Sequence, residues 1–234
     1  MESLFDHPQV MAESVLLLHS LEFVGVFAHA VVGASVARRY GLDPLGFAVL
    51  AVLTALGGGM VRDTLIQHGP PVVLVHWAYI TVALAGAAVA YLALVEEGRL
   101  WVRLYPYVDG LAMGCFACVG AHKAFLLGFG WLPAVLLGAL SAVGGGVLRD
   151  VAVGRMPLIF SGNLYATCAL LASSTMVVMD LSGYSRTGLV AGSVVGALLW
   201  PVARRRQWCL PSSPGWLGAP SVTPTDLPPI RRNR

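Results

Sequence analysis

Charge is scarce in this sequence, and its scarcity excludes a soluble globular protein. Charged residues make up 12% of the 234 positions and hydrophobic residues 57%, about half the charged share of an average soluble domain. So much apolar surface requires lipid around it, and we expect an integral membrane protein. The net charge of +3 does not indicate a nucleic-acid partner, because the arginines that produce it are concentrated in the C-terminal tail.

Signatures of enzymes and of bound metals are also missing. The sequence contains no HExxH, no GxSxG and no Walker lysine, so we predict no enzyme, no catalytic residue and no cofactor. Cys115 and Cys118 have no second cysteine pair or histidine cluster beside them, and we interpret them as helix-packing residues. His19 and His29 are ten residues apart, a spacing that does not bring two ligands together, so we predict no metal site.

Long hydrophobic stretches are what the sequence does contain. Residues 1–14 have no Lys or Arg and so lack the basic start of a cleavable signal peptide, and we expect the first stretch to be retained. Stretches of about twenty residues are long enough to cross a bilayer. They predict an all-α integral membrane protein of seven transmembrane helices, near residues 15–37, 44–66, 72–95, 106–127, 131–152, 158–180 and 187–203.

The basic residues predict how these helices are oriented. Most of them fall on one side of the membrane: Arg38, Arg39, Arg99, Arg103, Arg149, Arg155 and Arg204 to Arg206. The opposite side holds Arg62, Lys123 and Arg186. By the positive-inside rule, the N-terminus lies outside and the C-terminus in the cytoplasm. Residues 207–234, rich in Pro and Arg, are predicted to form a disordered cytoplasmic tail.

An internal repeat divides the membrane domain. The sequence LTALGGGMVRD at residues 53–63 recurs as LSAVGGGVLRD at residues 140–150, an offset of 87 residues that also pairs Glu22 with Asp109. The offset carries the chain through three spans, and because three is odd, the second copy enters the membrane from the opposite face. We predict an extramembrane segment, two inverted three-helix repeats and a seventh helix, at residues 1–14, 15–95, 96–180 and 181–206.

The glycine runs of the repeat are candidates for a permeation path. Three adjacent glycines weaken a helix by about 1 kcal/mol each, and a broken helix is tolerated in a bilayer only beside protein or water. Inverted repeats meet near the bilayer midplane, so two such breaks would line one polar path. The alternative is that the glycines permit close helix packing. The runs are Gly57, Gly58, Gly59 and Gly144, Gly145, Gly146.

An Arg-Asp pair follows each glycine run. Charges inside a membrane are costly and indicate function. Adjacent residues on a helix point about 100° apart, so we expect pairing across the repeat, with Arg62 contacting Asp150 and Arg149 contacting Asp63. The alternative is that the arginines snorkel to the headgroups.

Three further polar residues lie within the spans. Lys123 is the one lysine of the sequence, and its repeat equivalent is Val36. It is predicted either to gate or sense charge, or to snorkel to the outer interface. Glu22 and Asp109 are candidate acids at two mouths of a path, or else helix-end carboxylates in contact with water.

Seven spans with Gly-Gly-Gly-x-x-Arg-Asp in the second and fifth helices resemble the prokaryotic branch of the trimeric intracellular cation (TRIC) channels. The resemblance covers about residues 15–203. It implies a homotrimer in the bacterial inner membrane, with a pore in each subunit that conducts monovalent cations such as potassium and sodium. It also implies that the glycine runs, both Arg-Asp pairs and Lys123 belong to that pore.

Two other functions remain open from the sequence. The same bacterial sequences resemble a domain described as a transporter of glycine or other small amino acids, which would use helix breaks to hold a zwitterion and rock its repeats in alternation. A non-transporting membrane scaffold is the third, and the charges inside the membrane disfavour it.

Overall fold

This computed structural model describes residues 8–93, 99–160 and 163–209, and of residues 8–14 and 99 it describes the backbone alone. Residues 1–7 of the predicted N-terminal segment and residues 210–234 of the predicted tail lie outside these ranges. Within them the secondary structure is helical, apart from one isolated antiparallel bridge between Asn163 and Cys209. The all-α class is confirmed.

The helices follow one another with short connections. They are α1 (Pro8–Arg39), α2 (Pro44–Ile66), α3 (Val72–Val75), α4 (Trp77–Leu92), α5 (Arg99–Leu126), α6 (Trp131–Ala152), the 3-10 helix η1 (Leu158–Phe160), α7 (Tyr165–Leu181) and α8 (Ser185–Arg205). The bounds of α2 and α6 agree with the sequence prediction. In contrast, α1 begins at Pro8, within the predicted N-terminal segment, and α5 begins seven residues before its predicted span.

Within the described ranges, five helices are long and apolar enough to cross a membrane: α1, α2, α5, α6 and α8. The apolar helices α4 and α7 are shorter, at 16 and 17 residues. A 16-residue helix rises about 24 Å, less than the roughly 30 Å of a hydrocarbon core. A short helix, α3 or η1, precedes each of them, so the stretches predicted as single third and sixth spans are divided.

Local chemistry explains where α2 and α6 begin and end. The Asp43 side chain accepts a hydrogen bond from the Gly46 backbone N–H at 2.7 Å and so caps the start of α2. Both helices are followed by a left-handed residue, Gln67 (φ 54°) and Gly154 (φ 70°), at equivalent repeat positions. Prolines then prevent further helix, at Pro70 and Pro157.

Residues aligned by the sequence repeat occupy matching places. Gly33 of α1 lies against α2, where an added Cβ would stand 2.6 Å from the Thr54 Cβ. Its equivalent, Gly120 of α5, lies against α6, where an added Cβ would stand 2.9 Å from the Ser141 Cβ. The α1–α2 and α5–α6 hairpins therefore pack through the same small-residue contact.

Helix α8 has no counterpart in the first half of the chain. It packs against α5 and α7, and small residues allow the close approach, because an added Cβ at Gly196 would meet the Gly114 Cα at 2.5 Å. Such contacts are typical of helices that associate in lipid.

The distribution of polarity is that of a membrane protein. Large apolar side chains face outward, among them Leu45, Trp77 and Leu92 at 73%, 78% and 79% exposure. Charged side chains lie inside, including Arg62 and Arg149. An apolar exterior around buried charges fits a lipid environment.

Candidate functional site

Helices α2 and α6 cross at their glycine runs. A Cβ added to Gly58 would collide with the carbonyl oxygen of Ser141, and one added to Gly145 would collide with that of Thr54. Thr54 lies one turn before Gly58 in α2, whereas its neighbour Gly145 lies one turn after Ser141 in α6. The two helices are therefore antiparallel. The repeat pairs Gly58 with Gly145 and Thr54 with Ser141, so each of the two contacts is the repeat equivalent of the other. The centre of the crossing therefore lies between Gly58 and Gly145.

The glycines pack the helices together and do not break them. Both α2 and α6 are continuous through their glycine runs, so the predicted break is wrong. Gly57 and Gly144 also face the crossing, against Leu148 and Gly58. At the third glycine of each run, Gly59 and Gly146, an added Cβ would meet only an arginine side chain, at 3.9 and 3.6 Å. Helical hydrogen bonding and tight packing outweigh the low helix propensity of glycine.

A cluster of charges surrounds Asp63 near the end of α2. The Asp63 Oδ1 accepts hydrogen bonds from Arg62 Nε at 2.9 Å and from Lys123 Nζ at 2.8 Å. Its Oδ2 accepts one from the backbone N–H of Val72 at 3.1 Å. Arg62 also donates to Ser141 Oγ of α6 at 3.3 Å. We call Arg62, Asp63 and Lys123 the Asp63 cluster.

A second cluster, also of two cations and one carboxylate, surrounds Asp150 near the end of α6. The Asp150 Oδ1 accepts hydrogen bonds from Arg149 Nε at 2.8 Å and from Arg155, through Nε at 2.9 Å and Nη2 at 2.6 Å. Its Oδ2 accepts one from the backbone N–H of Leu158 at 3.2 Å. We call Arg149, Asp150 and Arg155 the Asp150 cluster.

Pairing across the repeat, which the sequence predicts, does not occur. Each arginine contacts the aspartate that follows it. Adjacent side chains on a helix point about 100° apart, but the arginine side chain is long enough to bend around the helix to the carboxylate. Asp63 and Asp150 each lie five residues beyond the centre of an antiparallel crossing. At 1.5 Å per residue the clusters are roughly 15 Å apart along the helix axes, so neither arginine reaches the other aspartate.

Burial differs within each cluster. The Arg62, Asp63, Arg149 and Asp150 side chains are 2–6% exposed, whereas the Lys123 and Arg155 side chains are 28% and 30% exposed. Snorkelling of Arg62, Arg149 and Lys123 to the headgroups is wrong, because all three bind carboxylates inside the protein. Each cluster holds two cations and one carboxylate, a formal charge of +1.

The candidate mouth acids are buried beside tyrosines. Glu22 of α1, 5% exposed, accepts a hydrogen bond from the hydroxyl of Tyr79 in α4. Asp109 of α5, 3% exposed, accepts one from Tyr165 of α7 at 3.3 Å, and His29 Nε2 lies 3.9 Å from its Oδ1. Both carboxylates are buried inside the helix bundle, so the interpretation as solvated helix-end groups is wrong.

A small cavity joins Glu22 to the Asp63 cluster. Its volume is about 20 Å³, room for about one water molecule. Gly59, Arg62 and Tyr79 contribute to its wall. The wall therefore combines a residue of the glycine run, a charged guanidinium group and a tyrosine side chain.

Several polar partners escaped the sequence analysis. Tyr79 and Tyr165 are 86 rather than 87 residues apart, so a one-residue deletion after Pro157 hides their equivalence. The positive-inside pattern accounts for Arg155 by orientation alone. Asp180 of α7, bound to His122 Nδ1 at 2.9 Å, lies outside the repeat motif and carried no signal. Among the described residues no three His, Cys, Asp or Glu side chains are grouped to hold a metal ion.

Comparison with known proteins places this geometry in a family. The model of the family described as "Glycine transporter" matches residues 19–94 and 106–180. The UPF0126 inner membrane protein YadS of Escherichia coli is 31% identical over 202 residues, which are 84% of this chain and 96% of that protein. A UPF0126 membrane protein of Deinococcus radiodurans is 35% identical over 193 residues, 82% of this chain and 89% of that protein.

Solved structures agree with the sequence matches. The TRIC trimeric intracellular cation channel orthologue from Rhodobacter sphaeroides superposes with a TM-score of 0.75 at 29% identity, covering 81% of this chain and 98% of that one. A structure described as "Structural basis for conductance through TRIC cation channels" gives 0.75 at 30% identity, covering 84% and 97%. The chain belongs to the trimeric intracellular cation channel family, the family whose sequence model is described as a glycine transporter.

Proposed function

We propose that this protein is a channel for monovalent cations, potassium and sodium, with a complete path inside each chain. One observation carries the proposal: two clusters of equal formal charge lie at opposite ends of one antiparallel crossing, both supplied by the same chain. Charged groups inside a membrane protein mark ion pathways. Relatives of known structure described as cation channels support the same function.

The path we propose runs beside the crossing of α2 and α6. Its residues are Gly57, Gly58, Gly59, Arg62, Asp63, Lys123, Gly144, Gly145, Gly146, Arg149 and Asp150. Glu22 and Asp109 attract cations from within the wall of the path. Since the open side of each glycine run lies at Gly59 and Gly146, the ion passes there, next to backbone whose near neighbour is an arginine side chain of the cluster.

The proposal includes an assembly and an orientation. Three copies form a homotrimer in a bacterial inner membrane, and because no neighbour is needed to complete a path, trimerisation serves stability. The two halves, residues 15–95 and 96–180, are inverted repeats followed by a seventh span, with the N-terminus outside and the C-terminus in the cytoplasm. The antiparallel crossing supports the inversion, and the basic residues support the orientation.

Single-channel recording tests the proposal. Purified protein in a planar bilayer with potassium on both sides should give unitary currents, and Lys123→Ala should raise conductance or open probability, since it removes one positive charge from the path. Arg206→Ala, at an exposed position after α8, serves as the control. A wild-type protein that never gives unitary currents contradicts the proposal.

The second candidate is a transporter of glycine or another small amino acid, which the description of the matching family model favours. The cavity beside Asp63 has room for about one water molecule, which is too little for glycine with its five heavy atoms. Transport would therefore require the clusters to separate. Saturable uptake of labelled glycine into proteoliposomes without unitary currents would establish this alternative.

A further inference from the structure

The second cation of each cluster comes from a different place in the fold. Lys123 reaches Asp63 from the neighbouring helix α5. Arg155 reaches Asp150 from the connection that follows α6, the helix that contains Asp150. Every other hydrogen-bond donor in one cluster has a repeat equivalent in the other, within the one-residue shift noted above: the adjacent arginine, and the backbone N–H of Val72 or Leu158.

The repeat does not explain this similarity. The equivalent of Lys123 is Val36, a buried apolar residue, and the equivalent of Arg155 is the exposed His68. Neither residue is inherited from a shared pattern, yet both end on the Oδ1 of the aspartate. Two halves that reach one geometry from non-equivalent positions indicate a requirement for a second cation at each end.

Arg155 is held in place from both its backbone and its side chain. Its N–H donates to the Asp150 carbonyl oxygen at 2.9 Å, after the left-handed turn at Gly154. The guanidinium then bends back and gives two hydrogen bonds to a single carboxylate oxygen. An arginine that only snorkels would point to the headgroups instead. At 30% exposure its side chain is the accessible part of the cluster.

We propose that Arg155 is a second barrier residue, the counterpart of Lys123 at the opposite end of the path. The inference rests on the proposed channel function. With Arg155 in place the Asp150 cluster carries +1 and repels an approaching cation. When the guanidinium leaves Asp150, a neutral Arg149–Asp150 pair remains and the barrier falls. Conduction requires both ends to open, and the two ends respond to different motions: α5 against α2 at one end, and the α6–η1 connection at the other.

Neutralising Arg155 tests the proposal. Arg155→Gln should raise unitary conductance or open probability about fivefold, the effect of removing one unit charge about 4 Å from the ion in a water-like dielectric. Arg155→Lys keeps the charge and should behave as wild type. Arg206→Gln, an exposed arginine outside both clusters, should also behave as wild type. Thermal unfolding in detergent checks that each variant is folded.

Chemical restoration of the charge separates a barrier from a structural contact. Cys209 is the exposed native cysteine, while Cys115, Cys118 and Cys168 are buried, so Arg155→Cys is made in a Cys209→Ser background. A trimethylammonium-ethyl thiosulfonate should return the current to the wild-type level, and a negatively charged sulfonatoethyl reagent should not. The reagent should act from the side that holds the C-terminus.

The outcomes distinguish this inference from the function on which it rests. If Lys123→Ala changes the currents while Arg155→Gln and the modified Arg155→Cys match Arg206→Gln, the second barrier is wrong and the channel stands. If wild-type protein gives no unitary currents, the channel and the barrier both fall.

Discussion

At the scale of single residues, the two aspartates organise the site. Each accepts hydrogen bonds from two cationic side chains and one backbone N–H, so both carboxylate oxygens are used. The adjacent arginine is deeply buried, and the second cation, Lys123 or Arg155, is partly exposed. The aspartate and its adjacent arginine are therefore expected to be structural, and the second cation to be dispensable for folding.

Asp63→Asn should destabilise the protein more than Lys123→Met. The asparagine leaves the buried Arg62 guanidinium without a charged partner, and breaking a buried pair costs about 3–5 kcal/mol. Lys123 is 28% exposed, and loss of a partly solvated pair costs about 0–1 kcal/mol. Melting temperatures in detergent give the order.

A double variant provides the control for this comparison. Arg62→Met combined with Asp63→Asn removes both charges, and it should recover much of the lost stability because no unpaired ion remains. Equal losses for Asp63→Asn and Lys123→Met would mean that Lys123 is as structural as the arginine.

The sequence predicts which residues carry charge in the membrane but not which side chains they contact. The Gly-Gly-Gly-x-x-Arg-Asp motif is identified by its repetition, and Lys123 by being the one lysine of the sequence, with an apolar repeat equivalent. The bond from Lys123 to Asp63 joins residues 60 positions apart, and it depends on how α5 packs. Arg155 looks like an ordinary residue of the positive-inside pattern, since its contact with Asp150 depends on a turn at Gly154 that sequence alone does not reveal.

At the scale of helices, the glycine runs determine how closely α2 and α6 approach. The contacts of Gly58 and Gly145 are with backbone carbonyl groups, which cannot move aside as a flexible side chain would. Gly59 and Gly146 have no such neighbour within 3.5 Å of an added Cβ. Glycines of one run thus have different roles.

Alanine substitution should separate these roles. Gly58→Ala and Gly145→Ala force the helices apart, and overpacking of this kind costs about 1–3 kcal/mol. Gly59→Ala and Gly146→Ala are matched controls in the same helices, and they should be neutral or stabilising, because alanine favours a helix by about 1 kcal/mol. Thermal unfolding in detergent measures all four. If Gly58→Ala proves as stable as Gly59→Ala, close packing does not explain the motif.

Helix bounds were predictable where the chain carries explicit signals. Asp43 and the prolines after Ile66 and Ala152 mark the ends of α2 and α6. Hydrophobicity alone defined the third and sixth spans, and it does not report the backbone change at His76 (ψ 99°) that divides α3 from α4. The helical break was wrongly predicted because propensity describes an isolated helix, whereas packing decides here.

At the scale of the whole molecule, an antiparallel crossing inside one chain predicts where the connections lie. If the halves are inverted repeats, the α1–α2 connection faces the cytoplasm and its equivalent, the α5–α6 connection, faces outside. Leu42→Cys and Gly130→Cys, in a Cys209→Ser background, should label with a membrane-impermeant maleimide from opposite sides. Native Cys209, exposed after α8, should label from the same side as Leu42→Cys. Labelling of both connections from one side would contradict the inversion.

The reciprocal contact at the crossing has the form of an isologous interface, in which the same patch serves both partners. In a dimer of identical three-helix units, both subunits have the same sequence, so every substitution occurs twice. A basic residue introduced at one end of the crossing then also occurs at the equivalent position of the other end. Joining the units in one polypeptide removes that restriction. Lys123 and Arg155 bind the equivalent Oδ1 atoms from non-equivalent positions, as independent change in two fused halves allows. Each end of the proposed path is then free to respond to its own stimulus.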